Sequence, residues 1–159
     1  WQLATVQLDF QQPKRFGLEY IAKDGSKKTP IVIHRALLGS LERFMAILIE
    51  HYAGAFPLWL SPVQVKILPI SDKLNKYAET VFKELKENGI RVELDDRSES
   101  VGKKIREAEM EKVPYMLILG EKEEQAKSVS VRGRNQKDLG AMKLDKFIKQ
   151  ILKETEQRS

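Results

Sequence analysis

The sequence predicts an α/β protein in two unequal parts, an antiparallel strand and helix piece followed by a mixed sheet with helices on its faces. Residues 1–10 alternate apolar and polar side chains, as a half-buried strand does. Beyond residue 62 the pattern changes to apolar run, helix-period stretch and apolar run, which is a βαβ unit. Between the two lies Phe56-Pro57-Leu58-Trp59-Leu60-Ser61-Pro62, which has two prolines and no clear periodicity. The boundary is expected there, giving parts 1–61 and 62–159.

In the first part, Leu18 to Ala22 and Ile31 to Leu37 are further strand candidates, placed around an Asp24-Gly25 turn. Ser40 can cap a helix in which Leu41, Phe44, Met45, Leu48, Ile49 and Tyr52 fall on one face, so the helix is expected to face a core. Gly54 and Pro57 end it. In the second part the spacing predicts a strand over 65–70, a helix over 73–88 closed by Gly89 and a strand over 90–94. A helix over 101–112, an apolar strand over 115–119 and a charged turn at Glu121-Lys122-Glu123-Glu124 follow, then a strand over 129–134 and an amphipathic helix over 144–154.

Composition narrows the function classes. A chain of 159 residues suits one domain plus part of another. With 42% hydrophobic and 32% charged residues it reads as a soluble folded protein, and no apolar run approaches the roughly 18 residues of a membrane span. The chain opens on Trp1 inside an alternating stretch, so a natural N-terminus is expected upstream. There are no cysteines, and His34 and His51 alone cannot complete a structural zinc site, so any metal needs outside ligands. The net charge of +5 is modest and most often means only a solubilised surface. Lys127 to Lys143, however, holds five basic residues against the single acidic Asp138, a local excess that suits phosphate contact.

On spacing alone there is no glycine-rich phosphate loop, no nucleophile elbow and no histidine pair on one helical face, which argues against a self-contained enzyme. A lone strand histidine such as His34 is more often a hydrogen-bonded structural residue than a ligand. Arg43, beside Glu42 in an otherwise apolar helix, is in isolation a surface cation.

The residues occurring together change that reading. Trp1-Gln2-Leu3-Ala4-Thr5-Val6-Gln7-Leu8-Asp9-Phe10 resembles a late catalytic strand of the threonyl-tRNA synthetase family. Pro30-Ile31-Val32-Ile33-His34-Arg35-Ala36-Leu37-Leu38-Gly39-Ser40-Leu41-Glu42-Arg43-Phe44 resembles its class II motif 3. Ala53 through Gln64 looks like the family's junction into the anticodon-binding domain, and Arg106 through Val113-Pro114-Tyr115-Met116-Leu117 continues the match. The resemblance implies a five-stranded mixed sheet flanked by three helices, preceded by the end of a class II catalytic domain.

It further implies a ligase that activates threonine with ATP and Mg²⁺ and passes it to tRNA-Thr, as a cytoplasmic homodimer. Arg43 would be the motif 3 arginine against the adenine, and Gln2, Thr5, Gln7 and Ser40 would line the threonine and ATP pocket. His34 would be the third ligand of a zinc ion that selects threonine over isosteric valine through its hydroxyl, with a Cys and a His upstream of this chain. No zinc is expected with this chain alone, which is expected to be inactive in aminoacylation. Glu123 and Arg132 match anticodon-contact positions, with Arg97, Ser98 and Arg134 nearby; Ser98 departs from the asparagine expected there. A carboxylate can accept from both edge donors of guanine, and arginine can donate to base carbonyls or phosphate. Two other readings remain: a non-catalytic synthetase-derived RNA- or protein-binding module, which retention of His34, Ser40 and Arg43 disfavours, and a sister synthetase for proline, histidine or glycine, which His34 within Ile33-His34-Arg35 disfavours.

Overall fold

The computed structural model describes residues 2–134 and 137–158. Trp1, with which the first stretch of resemblance opens, lies outside the described residues, as do Asn135, Gln136 and Ser159. The chain divides into two compact units, residues 1–51 and 52–159.

The first unit runs through β1 (Thr5–Asp9), one helical turn α1 (Gln12–Arg15), the short hairpin of β2 (Tyr20–Ile21) and β3 (Lys27–Lys28), β4 (Val32–Ala36) and α2 (Leu41–Tyr52). Strands β1 and β4 pair antiparallel, with Thr5 opposite Ala36, Gln7 opposite His34 and Asp9 opposite Val32. Alternation therefore puts Thr5, Gln7, Asp9 and His34 on one face, and Val6, Leu8, Ile33 and Arg35 on the other. The turn into α2 requires Gly39: its φ is +67°, and a Cβ there would lie 3.1 Å from the Leu3 carbonyl oxygen.

Two expectations about this unit change. The strand candidates 18–22 and 31–37 do not pair with each other; Tyr20–Ile21 pairs with Lys27–Lys28, and Val32–Ala36 pairs with β1. The reason is the tightness of the turn, where the Asp24 carboxylate accepts from the Ser26 amide at 3.0 Å and the Ser26 hydroxyl at 2.6 Å and returns the chain at once. Helix α2 forms as expected, with Ser40 Oγ accepting from the Arg43 amide at 3.2 Å, but its apolar face is not in a core: Leu41 is 63% exposed and Met45 52%. Periodicity says which side of a helix seeks apolar partners, not whether the described residues contain them.

The second unit is one five-stranded sheet with helices on both faces. Its elements are β5 (Val65–Pro69), a 3-10 turn at Asp72–Leu74, α3 (Asn75–Glu87), β6 (Val92–Leu94), α4 (Val101–Met110), β7 (Tyr115–Leu119), α5 (Glu121–Ala126), β8 (Ser128–Gly133), β9 (Lys137–Lys143) and α6 (Leu144–Glu156). The strand order is β6-β5-β7-β8-β9, parallel for β5 with β6 and β7, antiparallel for β7 with β8 and β8 with β9. Val65, Ile67, Leu117, Leu119, Val129 and Val131 turn to one face and pack with Ala78, Val81 and Leu85 of α3 and Phe147, Ile148 and Ile151 of α6. Leu68 and Met116 turn to the other face, where Ala108 of α4 and Val113 cover them. The mixed sheet with three longer helices is the architecture expected.

The proline-rich stretch is built into this second unit. Leu58 and Ser61 are buried, Gln64 Nε2 donates to the Leu58 carbonyl at 3.0 Å, and Arg91 Nε donates to the Ser61 carbonyl at 2.8 Å. The charged turn is instead the short helix α5, because the Glu123 carboxylate reaches back to accept from the Gly120 amide at 2.9 Å, satisfying a donor that a helix start leaves open. Strand β9 follows from no apolar run: it is an edge strand in which Leu139, Ala141 and Met142 are interspersed with Lys, Asp and Gly residues, and its alternation is broken by a register shift opposite Val131 and Arg132.

Phe147 is fully buried, with its ring 5.6 Å edge-on from that of Tyr115. Phe147→Ala is expected to lower the stability of this unit by about 3–5 kcal/mol, as read from urea unfolding followed by far-UV circular dichroism.

Candidate functional site

In the first unit, Gln2 Nε2 donates to Thr5 Oγ1 at 3.1 Å, and Arg43 Nη1 donates to the Gln2 carbonyl at 3.4 Å. Ser40 caps the helix that carries Arg43. Gln2, Thr5, Ser40 and Arg43 are thus brought together by direct hydrogen bonds, while Gln7 lies opposite His34 on the polar face of β1 and β4. This is a cluster of amide, hydroxyl and guanidinium groups at a helix start, the chemistry that holds polar substrates and phosphates.

His34 has a partner that sequence reasoning did not single out. Its Nε2 lies 3.1 Å from Asp9 Oδ2. The Asp9 carboxyl also accepts from the Gln11 and Gln12 amides at 2.9 Å each, and those amides, Gln12 first, hold its pKa below the ordinary value. The signal was the polar alternation Thr5, Gln7, Asp9, which places Asp9 on the histidine's face.

In the second unit, the other sequence-derived residues divide between two places. Three of them lie at the C-terminal ends of the parallel strands, where open α/β sheets place their ligands. Just past β6, Asp95 is buried, and Arg97 donates to it through Nε at 2.8 Å and through Nη2 at 2.6 Å. The same Nη2 donates to Glu107 of α4 at 2.6 Å. Ser98 Oγ donates to Asp72 past β5 at 3.4 Å. Glu123 sits past β7, on a shallow depression of about 440 Å³ shared with Ile70, Ser71, Leu74 and Gly120. Beneath this edge is a second residue that the sequence did not flag, Lys104 of α4, which is buried and donates to the carbonyls of Pro69 at 3.2 Å and Asp95 at 3.0 Å. A buried ammonium needs such acceptors, and it ties the ends of β5 and β6 together. A lysine on a charged helix carries no sequence signal for this.

The remaining two, Arg132 on β8 and Arg134 just past its end, lie near the opposite end of β7. Arg132 is level with Met116, on the face that α4 covers only over β5 and β7, and its Nη2 lies 3.4 Å from Glu109 Oε1. Arg134 donates to the carbonyls of Ala55 at 3.0 Å, Phe56 at 2.9 Å and Lys112 at 2.7 Å, and burial pushes its pKa down. Its guanidinium holds the segment before β5 in place through three main-chain carbonyls. No direct hydrogen bond joins Glu123 to Arg132 among the described residues.

The family profile described as anticodon binding domain matches residues 64–154, and that of the tRNA synthetase class II core domain (G, H, P, S and T) matches residues 1–52. Threonine–tRNA ligase of Clostridioides difficile is 61% identical over 158 residues, 99% of this chain and 25% of that protein. The chain belongs to the threonyl-tRNA synthetase family. It corresponds to the C-terminal region, the end of the class II core with an anticodon-binding domain, and spans about a quarter of the length of such relatives. The Caldanaerobacter subterraneus subsp. tengcongensis ligase is 58% identical over 97% of this chain and 24% of its own length. The crystallised RNA-binding domain of threonyl-tRNA synthetase from Cryptosporidium parvum superposes with a TM-score of 0.85 at 41% identity, over 96% of this chain and 39% of that one. Prolyl-tRNA synthetase from the same organism, in complex with halofuginone and AMPPNP, gives 0.73 at 27% identity, over 99% of this chain and 34% of that one. The prolyl-tRNA synthetase thus shares the fold, at lower sequence identity than the Cryptosporidium threonyl-tRNA synthetase domain.

Among the described residues the donors do not fit a zinc site. A four-coordinate site needs three or four protein ligands, whereas the face of β1 and β4 offers one imidazole already facing a carboxylate. No step is therefore assigned to a metal here.

Asp95 supplies a test of the strand-end geometry. The Arg97 hydrogen bond, first among the causes, lowers its folded-state pKa, so its stabilisation is complete above the unfolded value near 3.9 and is lost as pH falls through the lowered value. Asp95→Asn is expected to cost about 1–3 kcal/mol at neutral pH. Its stability should also fall less steeply than that of the unaltered chain below about pH 4, as thermal melts across a pH series would show.

Proposed function

We propose that residues 62–159 read the anticodon of tRNA-Thr, and that the longer protein to which the chain belongs is a threonine–tRNA ligase. The observation that carries the reading is the disposition of Arg97, Ser98 and Glu123 along the C-terminal strand edge, with Arg132 on the incompletely covered face of β8. Anticodon bases are unstacked and present their Watson-Crick edges, which are recognised by fixed donors and acceptors. Glu123 Oε2 is held by the Gly120 amide, which orients the carboxylate to accept from guanine at the central anticodon position. Arg132 donates to a base carbonyl or phosphate, and Ser98 to a neighbouring group. Arg97, locked by Asp95 and Glu107, offers its remaining edge.

In the longer protein, Arg43 packs on the adenine of ATP, with Mg²⁺ at the phosphates. Gln2, Thr5, Gln7 and Ser40 line the pocket for threonine and ATP. His34 completes a zinc site with a Cys and a His from outside these residues, and Asp9 fixes the imidazole ring. The ligase works as a cytoplasmic homodimer, and residues 1–61 are one wall of its catalytic site. The exposed row Val6, Leu8 and Ile33 fits a sheet that continues in the rest of that core.

Titration of the chain with a threonine tRNA anticodon hairpin, and with the same hairpin carrying a changed central G, is expected to show preference for the first. Equal affinities would remove the base-reading claim. Glu123→Gln keeps an acceptor for the Gly120 amide but loses the paired carboxylate, and should weaken the cognate hairpin by about 1–3 kcal/mol. The chain alone should form no threonyl-adenylate; ATP-pyrophosphate exchange above background would refute its assignment as a catalytic fragment.

A further inference from the structure

The three candidate arginines of the second unit, Arg97, Arg132 and Arg134, differ in how far their donors are committed. Arg134 gives three hydrogen bonds to main-chain carbonyls, and Arg97 gives three to carboxylates at 2.8 Å or less. Arg132 is different. Its described partner is the Glu109 carboxylate alone, with Nη2 at 3.4 Å from Oε1, longer than the roughly 2.7–2.9 Å of a tight charge-assisted bond. Both side chains are largely covered, 29% and 27% exposed, and among the described residues neither Arg132 Nε nor Glu109 Oε1 has a hydrogen-bond partner. The pair therefore attracts without locking. Coulomb force in a partly dry setting sets the direction of the guanidinium; Nε is buried, and the exposed part of the side chain is what remains for an acceptor brought by a ligand.

The supports of Glu109 are rigid. It lies one residue beyond Ala108, which is fully buried against Leu68 and Met116, and Met116 is the residue of β7 directly opposite Arg132. Helix α4 thus holds the carboxylate in fixed register with the strand that carries the arginine.

We propose that Glu109 is a positioning residue for anticodon specificity, its carboxylate aiming the Arg132 guanidinium across β8 at a base edge. This rests on the reading that Arg132 meets tRNA. An unrestrained arginine on a sheet face swings to the nearest phosphate, which adds affinity but carries no sequence information. Glu109 draws it back from that contact, so the carboxylate gives up some affinity and improves discrimination.

The test measures hairpin affinity, cognate against central-base-changed, for the full chain at several salt concentrations, with thermal melts confirming folding. Arg132→Ala is expected to reduce discrimination about tenfold; if it does not, the reading of Arg132 itself falls. Glu109→Ala is expected to cause a similar loss of discrimination while affinity for the changed hairpin holds or rises. The slope of log K against log salt should steepen by about 0.7, the value for one added phosphate contact on a single strand. Glu109→Asp, which keeps the charge, should recover part of the discrimination, and Glu109→Gln should not. The double variant Glu109→Ala, Arg132→Ala should resemble Arg132→Ala alone, because a positioning residue has no effect once its target is gone. Should Glu109→Ala fail to melt cooperatively, the near-isosteric Glu109→Gln carries the same expectation. The proposal is overturned if Arg132→Ala loses discrimination while Glu109→Gln retains it, or if the two losses add in the double variant.

Discussion

Strands β5 and β7 are covered on both faces, and that two-sided burial is the constraint from which the second unit follows. Val65, Ile67, Leu117 and Leu119 must find apolar partners on one side and Leu68 and Met116 on the other. A parallel pair cannot be joined by a tight turn, so β5 needs crossovers to reach β6 and β7, and the crossover helices are what cover the faces. Helix α3 supplies one cover and α4 the other, while α6 extends the first across β8. Because α4 is a short helix over only part of a wide sheet, β8 keeps a face on which Arg132 is reachable. The proposed recognition surface is the portion of the sheet that the core does not need.

The same constraint concentrates polar groups at the strand ends. Main chain leaving a buried parallel strand must have its carbonyls satisfied, and Lys104 does this for Pro69 and Asp95 from within α4. Asp95 can then stay buried and ionised because Arg97 neutralises it and Lys104 lies close by. Ser98, Asp72 and Glu123 sit on a scaffold that is stiff for reasons of polar satisfaction, so groups facing a ligand begin in fixed positions. Arg132, by contrast, is directed by a single loose ion pair, which leaves it able to answer to a ligand.

The first unit obeys a different rule. Its two-stranded sheet has a polar row, Thr5, Gln7, Asp9 and His34, and an apolar row, Val6, Leu8 and Ile33, and apart from the largely covered Asp9 side chain neither is buried by other described residues. Polar side chains on a sheet face gain from water or from a polar substrate, whereas an exposed apolar row is left without the burial that normally stabilises a sheet. Helix α2 repeats the pattern, with Leu41, Met45 and Ile49 exposed.

The local periodicities were decisive where burial is complete. Strand 115–119 and the helices starting at 101 and 144 read directly from the sequence, because their side chains face one environment along each row. The family was legible too, since its motifs run through both parts of the chain, and with it came the grouping of Gln2, Thr5, Ser40 and Arg43 near one helix start. What only the tertiary structure decided were the contacts that depend on partners distant in sequence. These include the pairing of Val32–Ala36 with β1 instead of the nearer strand, the edge strand β9 without an apolar run and the Asp9 partner of His34. The commitment of Arg134 to carbonyls and the hold of Glu109 on Arg132 belong with them. A charged residue looks the same in sequence whether it meets water, a carbonyl or a carboxylate, and that distinction arises only when the chain brings its acceptor to it.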